Sequence, residues 1–484
     1  MSALKTDFPG ISRRKIGDRI FRLPRPQEVH IPVRLIKQGY FAQLLFANPV
    51  LVGVLGIAFL MLGGGLLLTL PVANVEGDIT PPLIAFFTSA SAVSTTGLGL
   101  VTTATYWTTF GQAIICGLIF AGGLGLVAIV MFILWAAGSR FSLHDRLITR
   151  EAMGVKQIGG LLRLLRYAVL IDISITIVGA MLLVIPFSHY YSPGETIWQA
   201  FFHSVSSFNT AGIDIVGPSG FVVFQNDTLL LSIVTIVAIL GAIGFFALYE
   251  IPRVRKFSRF SLDTKLVIIT TFKLYFFGAV GMFIFEYFYG TTLADFSIVG
   301  KAFTSFFNAI SASTTTGFAT VDFSQATVHT LVILAGLMFI GGSIASTAGG
   351  IKVNAFGVLV ATIWATLKGR NKVEVFSRQI VSSQIFRAIA TLFVSLIVLS
   401  MGILLIMSSS PGIPFERVLF EAASALGNAG LSTGVLAEFS NLGKIVIIFL
   451  MFVGRVAPLS IIMIFVQNRK TPLYRFPKES VLQG

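Results

Sequence analysis

Charge is scarce in this 484-residue sequence. Asp, Glu, Lys and Arg make up 12% of it, against roughly 25% in soluble proteins. With 55% hydrophobic residues and a mean hydropathy of +0.87, a chain this poor in charge cannot hide its apolar surface in a water-soluble core. Cysteine is nearly absent. The single Cys116, inside an apolar run, rules out an intrachain disulfide framework and a Cys-based metal site, and reads as a small buried apolar residue. The five histidines (His30, His144, His189, His203 and His329) show no metal-ligand spacing; His203 reads as a packing residue. No P-loop, HExxH or nucleophile–base motif is present, so the sequence gives no grounds for an ATPase or a membrane enzyme. Residues 1–40 are basic and polar with no apolar stretch of the right length following, which argues against a cleavable signal peptide.

What the sequence has is long apolar runs. Eight can be read as spans, near 50–71, 106–135, 164–186, 226–249, 266–289, 327–366, 386–408 and 442–467, each at least as long as the ~20 residues a bilayer crossing needs. Only the sixth looks broken. The net charge is +14, and its distribution is uneven. Segments 1–40, 138–166, 251–265, 367–387 and 468–484 hold 29 of the 35 Lys and Arg, whereas the alternate loops hold only Lys301 and Arg417. This asymmetry follows the positive-inside pattern and predicts a multi-pass plasma (inner) membrane protein with both termini cytoplasmic. Basic residues lying between hydrophobic spans argue against nucleic-acid binding.

Between the members of each pair of spans lies a segment too short to cross: 82–100, 197–215, 301–320 and 415–434. These contain FFTSASAVSTTGLG (86–99), FFHSVSSFNTAGID (201–214), FFNAISASTTTGFA (306–319) and LFEAASALGNAGLS (419–432). The four align without gaps onto Gly97, Gly212, Gly317 and Gly430, with Ser91, Ser206, Ser311 and Ser424 six residues before. Repetition at near-constant period marks internal duplication. Each repeat then reads as long helix, half-crossing segment, long helix. Polar, irregular backbone at membrane depth is tolerated only where protein buries it or water bathes it, so four such segments can meet around an axis.

Each segment predicts a short helix, ending near Ser313 in the third, followed by an extended return. Glycine reaches positive φ without penalty, which lets successive carbonyls aim one way, and a ring of carbonyl oxygens can replace an ion's hydration shell. The alternative is helix packing by small residues. Asp214 and Asp322, just after two of the glycines, are either cation-concentrating mouth residues or solvated loop acids.

Two further features lie in the inner spans. GGSIASTAGGIKVN (341–354) interrupts the sixth span with glycines, Ser/Thr and Lys352. It reads as a gate in a pore, the alternative being a kinked packing helix. Arg455 stands in MFVGRVAPLS (451–460), where an intramembrane charge is functional by default; it either opposes ion passage or bonds helix carbonyls. Asp172 and Lys273, on outer helices, are expected to pair helix to helix, and Glu286 is a third intramembrane charge with no assigned role.

The strings STTGLGL, NTAGID, TTTGFAT and GNAGLSTG resemble the filters of the Trk/Ktr/HKT superfamily of potassium transporters, and the loop at 341–354 and the arginine of GRVAP resemble that family's intramembrane loop and fourth inner-helix arginine. The likeness covers residues 45–467. It implies an all-α integral membrane fold of four repeats of outer helix, re-entrant pore helix with filter loop, and inner helix, in pseudo-fourfold array around one pore. It implies a K+ filter at Thr95, Thr96, Gly97, Thr210, Ala211, Gly212, Thr315, Thr316, Gly317, Asn428, Ala429 and Gly430. It implies a gate at Gly341, Gly342, Ser343, Ser346, Thr347, Gly349, Gly350, Lys352 and Arg455. The filters are uneven, at Asn209 and Asn428 and at Ala211 and Ala429, which directly precede their glycines. Room for only a basic tail before the first repeat makes the chain resemble the ion-conducting B subunit of Ktr systems. The implied boundaries are a tail at 1–44, repeats at 45–138, 139–255, 256–370 and 371–468, and a tail at 469–484. K+ is the implied cargo and Na+ a candidate activator, with no nucleotide on this chain. The implied partners are a second copy in a homodimer and a cytoplasmic ring of nucleotide-binding RCK subunits. The competing reading is a sodium- or proton-coupled cation symporter, which calls for midplane sites on broken helices.

Overall fold

The structure is a computed structural model that describes residues 49–125, 161–370 and 372–456. The tails at 1–44 and 469–484, most of the 138–166 linker, and the ends of the second and eighth spans lie outside the described residues.

The helices run in four triplets of long, short and long element. The first is α1 (Pro49–Leu68), α2 (Pro82–Ser94) and α3 (Thr109–Gly123). The second is α4 (Leu161–Phe187), α5 (Pro193–Phe208) and an inner span made of α6 (Thr228–Ile243) and α7 (Phe245–Val254). The third is α8 (Leu262–Tyr289), α9 (Ile298–Ser313) and a span divided into α10 (Val328–Phe339) and α11 (Val353–Leu367). The fourth is α12 (Ser382–Ser409), α13 (Phe415–Gly427) and α14 (Asn441–Val456). The 13 residues of α13 span about 20 Å at 1.5 Å per residue, too short for a hydrocarbon core about 30 Å thick.

Local chemistry sets where these helices start. Thr108, Asp227, Ser261, Ser297 and Thr327 each accept a hydrogen bond from the backbone N–H three residues on, the side-chain cap that satisfies an orphan donor of the first turn. Pro82 and Pro193 open α2 and α5, where the missing N–H costs nothing.

Burial is inverted relative to a water-soluble protein. Phe59, Phe272, Phe277, Phe288 and Leu404 lie exposed, while Ser91, Ser206, Ser311, Thr316 and Asn428 are buried. Among the described residues, Tyr167–Phe187, Leu262–Tyr289 and Ser382–Ser409 are long and apolar enough to cross a membrane singly. The aromatic or leucine pair that opens each aligned string divides the same way in all four. Its second member, Phe87, Phe202, Phe307 or Phe420, is buried, and its first is partly or fully exposed.

Among the described residues two inner spans are broken, not one. The sixth breaks as expected after Phe339. There β1 (Ile340–Gly341) pairs in parallel with β2 (Ile351–Lys352) and closes the neck of a loop over 342–350. The fourth span, read from sequence as continuous over 226–249, bends by 97° between α6 and α7. Gly244 sits at that bend with φ 91° and ψ 147°, a conformation open to glycine and costly for residues with a Cβ. Glycine positions are a known cause of sharp helix kinks.

Candidate functional site

The four glycine loops share one backbone geometry. Two residues before each glycine, the chain enters the left-handed region, with φ of 55° at Thr95, 51° at Thr210, 56° at Thr315 and 52° at Asn428. A β-branched residue at positive φ is uncommon, and such strain gathers at functional sites. Each of these residues donates its N–H to a carbonyl three residues back, in the last turn of its short helix: Ala92, Ser207, Ala312 and Ala425, at 3.1 to 3.2 Å. The next residues, Thr96, Ala211, Thr316 and Ala429, donate to Ser91, Ser206, Ser311 and Ser424 carbonyls at 2.8 to 2.9 Å. The glycines follow, with φ of 94° at Gly97, 61° at Gly212, 88° at Gly317 and 85° at Gly430.

The loops pack on one another in a closed cycle. A Cβ placed on Gly97 would overlap the carbonyl oxygen of Ala211, one on Gly212 that of Thr316, one on Gly317 that of Ala429, and one on Gly430 that of Thr96. The twelve residues singled out from the sequence are thus brought together, with four backbone carbonyls each seated against the next glycine. Ser206 and Ser311 brace the return strand by donating to the carbonyls of Ile213 and Phe318 at 2.7 Å. Ser91 instead accepts from the N–H of Gly97 at 3.0 Å. Asn428 spans two loops, donating to Thr96 Oγ1 and to the Met451 carbonyl, both at 2.9 Å.

The 342–350 loop meets the residue two before the glycine in every repeat. Thr95 Oγ1 donates to the Thr347 carbonyl and Thr210 Oγ1 to Thr347 Oγ1, each at 3.4 Å. The Gly349 N–H donates to Thr315 Oγ1 at 3.1 Å. Gly349 also lies against Asn428 so closely that a Cβ would overlap its side chain. The loop is further tied to the bend of the fourth span. Ser343 N–H donates to the Ala242 carbonyl at 3.0 Å, Thr347 N–H to Gly241 at 3.4 Å, and Phe245 N–H to Ala345 at 3.1 Å. The sequence did not single out Ala345, which carries φ 57°, or Gly244. The signal available for the bend was the pair of glycines in LGAIG, Gly241 and Gly244.

Cationic side chains hold this loop by its carbonyls. Arg455 donates to the carbonyls of Thr347 and Gly122. Lys352 Nζ donates to the Ala348 carbonyl at 2.5 Å. Gly341, Gly342, Ser346 and Gly350 shape the neck: Ser346 Oγ donates to the Ser343 carbonyl at 2.6 Å, Gly342 accepts from Val353 N–H at 3.0 Å, and Gly350 takes φ 68°. Asn354, also missed from sequence, accepts from Ile344 N–H at 3.0 Å and donates to Asp263 Oδ1 at 2.5 Å.

The remaining acids and bases divide. Asp322 is exposed and caps a short turn by accepting from Ser324 N–H, the geometry of a solvated loop acid. Asp214 is half-buried and accepts from Val216 N–H at 3.1 Å. The expected pairing of Asp172 and Lys273 with other helices does not form among the described residues. Asp172 accepts from Thr176, one turn along its own helix, and Lys273 faces outward. Glu286 ties α8 to the start of α10, accepting from Thr292 and from Thr327 N–H and Oγ1. Cys116 is buried and free. Among the described residues no group of three His, Cys, Asp or Glu side chains could hold a metal.

Residues 66–471 match the family model described as TrkH, a cation transport protein. The chain is 35% identical to the Ktr system potassium uptake protein B of Bacillus subtilis, over 89% of this chain and 96% of that protein. It is 32% identical to the potassium/sodium uptake protein NtpJ of Enterococcus hirae, over 94% of this chain and 97% of that one. The solved potassium transporter TrkH of Vibrio parahaemolyticus superposes with a TM-score of 0.67 at 19% identity, covering 86% of this chain and 84% of that one, which speaks to the fold. The chain belongs to the Trk/Ktr family of cation transport proteins, on its KtrB-type branch, as a multi-pass, all-α membrane transporter and not an enzyme.

Proposed function

We propose that this chain carries K+ across the plasma membrane through a single gated pore lined by four glycine loops in pseudo-fourfold array. The observation that supports it most is the cyclic packing of Gly97, Gly212, Gly317 and Gly430 against the carbonyls of Ala211, Thr316, Ala429 and Thr96. Oxygen ligands suit a hard monovalent cation. Backbone carbonyls held by helix-end hydrogen bonds can take over part of its hydration shell. An inside-negative potential then favours influx by about 2.3 kcal/mol per charge per 100 mV. The repeats are 45–138, 139–255, 256–370 and 371–468, and the positive-inside pattern sets both termini in the cytoplasm.

Below the filter, the 342–350 loop acts as the gate. Its tip touches the residue two before the glycine in all four repeats, so it obstructs an ion leaving the filter. Arg455 adds a positive charge where the surroundings screen little. Opening requires the loop to leave Arg455 and the bend at Gly244. Three relatives are named as components of Ktr systems, which favours regulation by a separate subunit. We assign that role to a cytoplasmic RCK ring docked on the basic linkers of a homodimer, with Na+ as a candidate activator.

One observation leans toward coupled symport: a second broken inner span, a feature of transporters with midplane sites. Against it, the two breaks bond to each other around one loop and do not form two separate sites. Purified protein in liposomes tests the reading. A K+ gradient should drive K+ flux whose reversal potential follows K+ alone. A reversal potential that moves with imposed Na+ or proton gradients would instead establish coupling.

A further inference from the structure

Nine residues before each filter glycine, the short helices carry four different polar side chains: Thr88, His203, Asn308 and Glu421. All four are buried. Twelve residues after each of them, three past the glycine, come Leu100, Ile215, Thr320 and Thr433. In three repeats the pair is joined by the same hydrogen bond made with different chemistry. Ile215 N–H donates to His203 Nε2 at 3.4 Å. Thr320 N–H donates to Asn308 Oδ1 at 3.2 Å. Thr433 N–H donates to Glu421 Oε1 at 2.7 Å. In the first repeat Thr88 Oγ1 is too short for this role and is buried with no partner among the described residues; there Ser91 takes the Gly97 N–H instead.

We infer that this buried side chain is the positioning residue for the outer end of the filter loop in the second, third and fourth repeats, and that Glu421 is the one on which selectivity depends most. The inference rests on the filter reading above. A filter loop is fixed below by its helix-end hydrogen bonds, but its returning strand has no ladder partner. A backbone N–H buried there without an acceptor would be costly. The helix side chain supplies that acceptor and so fixes how far the strand, with its carbonyls, can move. Glu421 grips hardest. The same Oε1 also accepts from Ser432 Oγ at 2.7 Å and from Thr433 Oγ1 at 3.0 Å, while Oε2 is buried and bonds to no described residue. The fourth repeat also needs the grip most. Its Ser424, unlike Ser206 and Ser311, makes no bond to a return-strand carbonyl among the described residues. Asn308 holds its strand from both sides, adding a donation to Thr320 Oγ1 at 2.7 Å.

The test compares variants that remove the acceptor with variants that keep it, reading the K+/Na+ permeability ratio in liposomes at matched protein amounts. Glu421→Leu and Asn308→Leu should lower the ratio about fivefold, the scale of one lost hydrogen bond. Glu421→Gln, which keeps an oxygen facing the N–H, should stay near the parent. The double variant S432A/T433V keeps the buried carboxylate and strips two of its three donors, so it should give a smaller drop in the same direction. A helix residue with a purely structural role would change yield or melting temperature and leave the ratio alone. Unchanged ratios in the leucine variants overturn the inference, and so does an unchanged ratio in S432A/T433V if the leucine variants do not assemble. Glycine-to-serine variants run alongside separate the two layers. If they shift the ratio and the helix variants do not, the positioning role fails alone; if neither set does, the filter reading fails with it.

Discussion

The guanidinium of Arg455 on α14 donates to the carbonyl of Thr347 at the tip of the 342–350 loop. A second donation from the same fork reaches the carbonyl of Gly122 at the end of α3. One cation thus joins the fourth inner helix, the first inner helix and the loop belonging to the third.

Arg455→Ala is expected to raise K+ flux at least about tenfold, because it removes both the positive charge and the fork that ties the loop, at Thr347, to the end of α3, at Gly122. Arg455→Lys should keep much of the barrier, since the point charge survives while bidentate bonding is lost. Liposome flux at matched protein amounts measures this. An alanine variant with reduced yield and parent flux per molecule would mean that the arginine only fastens helices.

Replacing a filter glycine by serine sets a Cβ against a neighbouring carbonyl at a backbone angle costing about 1 kcal/mol or more for residues with a side chain. Each of the Gly97, Gly212, Gly317 and Gly430 serine variants should lose K+ over Na+ discrimination, roughly fivefold or more on that strain alone. Permeability ratios from bi-ionic potentials check it. Four unchanged ratios would remove the carbonyl filter from consideration.

Shortening the loop within 341–350 should raise basal flux and weaken dependence on any regulatory subunit. The loop is tied to the bend of the fourth span by Ser343 and Thr347 N–H donating to Ala242 and Gly241, and by Phe245 N–H donating to Ala345. Correctly folded deletions that conduct less than the parent would show that the loop is not an obstruction.

The shared geometry of the four glycine loops was legible because four copies of one pattern sit in one chain, so Gly97 could be read against Gly212, Gly317 and Gly430. The break at 341–350 was legible because four glycines interrupt an apolar span. The bend at Gly244 was not: two glycines in an apolar run are as compatible with close helix packing as with a turn of 97°, and tertiary bonds from Ser343, Ala345 and Thr347 decide between them. The fates of Asp172 and Lys273 were also hidden. Hydrophobic periodicity is weak on helices that are apolar all round, so which face meets protein and which meets lipid cannot be read from spacing alone. Asn354 was missed because its role depends on Asp263, 91 residues earlier.

That last pair makes the final test. Asn354 sits at the first turn of α11 and bridges the loop to the start of α8, accepting from Ile344 N–H and donating to Asp263. Asp263 lies within the basic 251–265 linker, so the bridge connects that linker to the 342–350 loop. Asn354→Leu removes both bonds and keeps the volume. Each bond contributes about 1 kcal/mol, so the loop should leave its seat several-fold more often and basal flux should rise accordingly. Asn354→Asp should act in the same direction, because a second carboxylate against Asp263 is repelled. Adding Asp263→Asn to that variant restores a donor opposite the new carboxylate and should bring flux back toward the parent. Such reciprocal rescue is a coupling energy between neighbours. If the double variant conducts like Asn354→Asp alone, the bridge does not hold the gate.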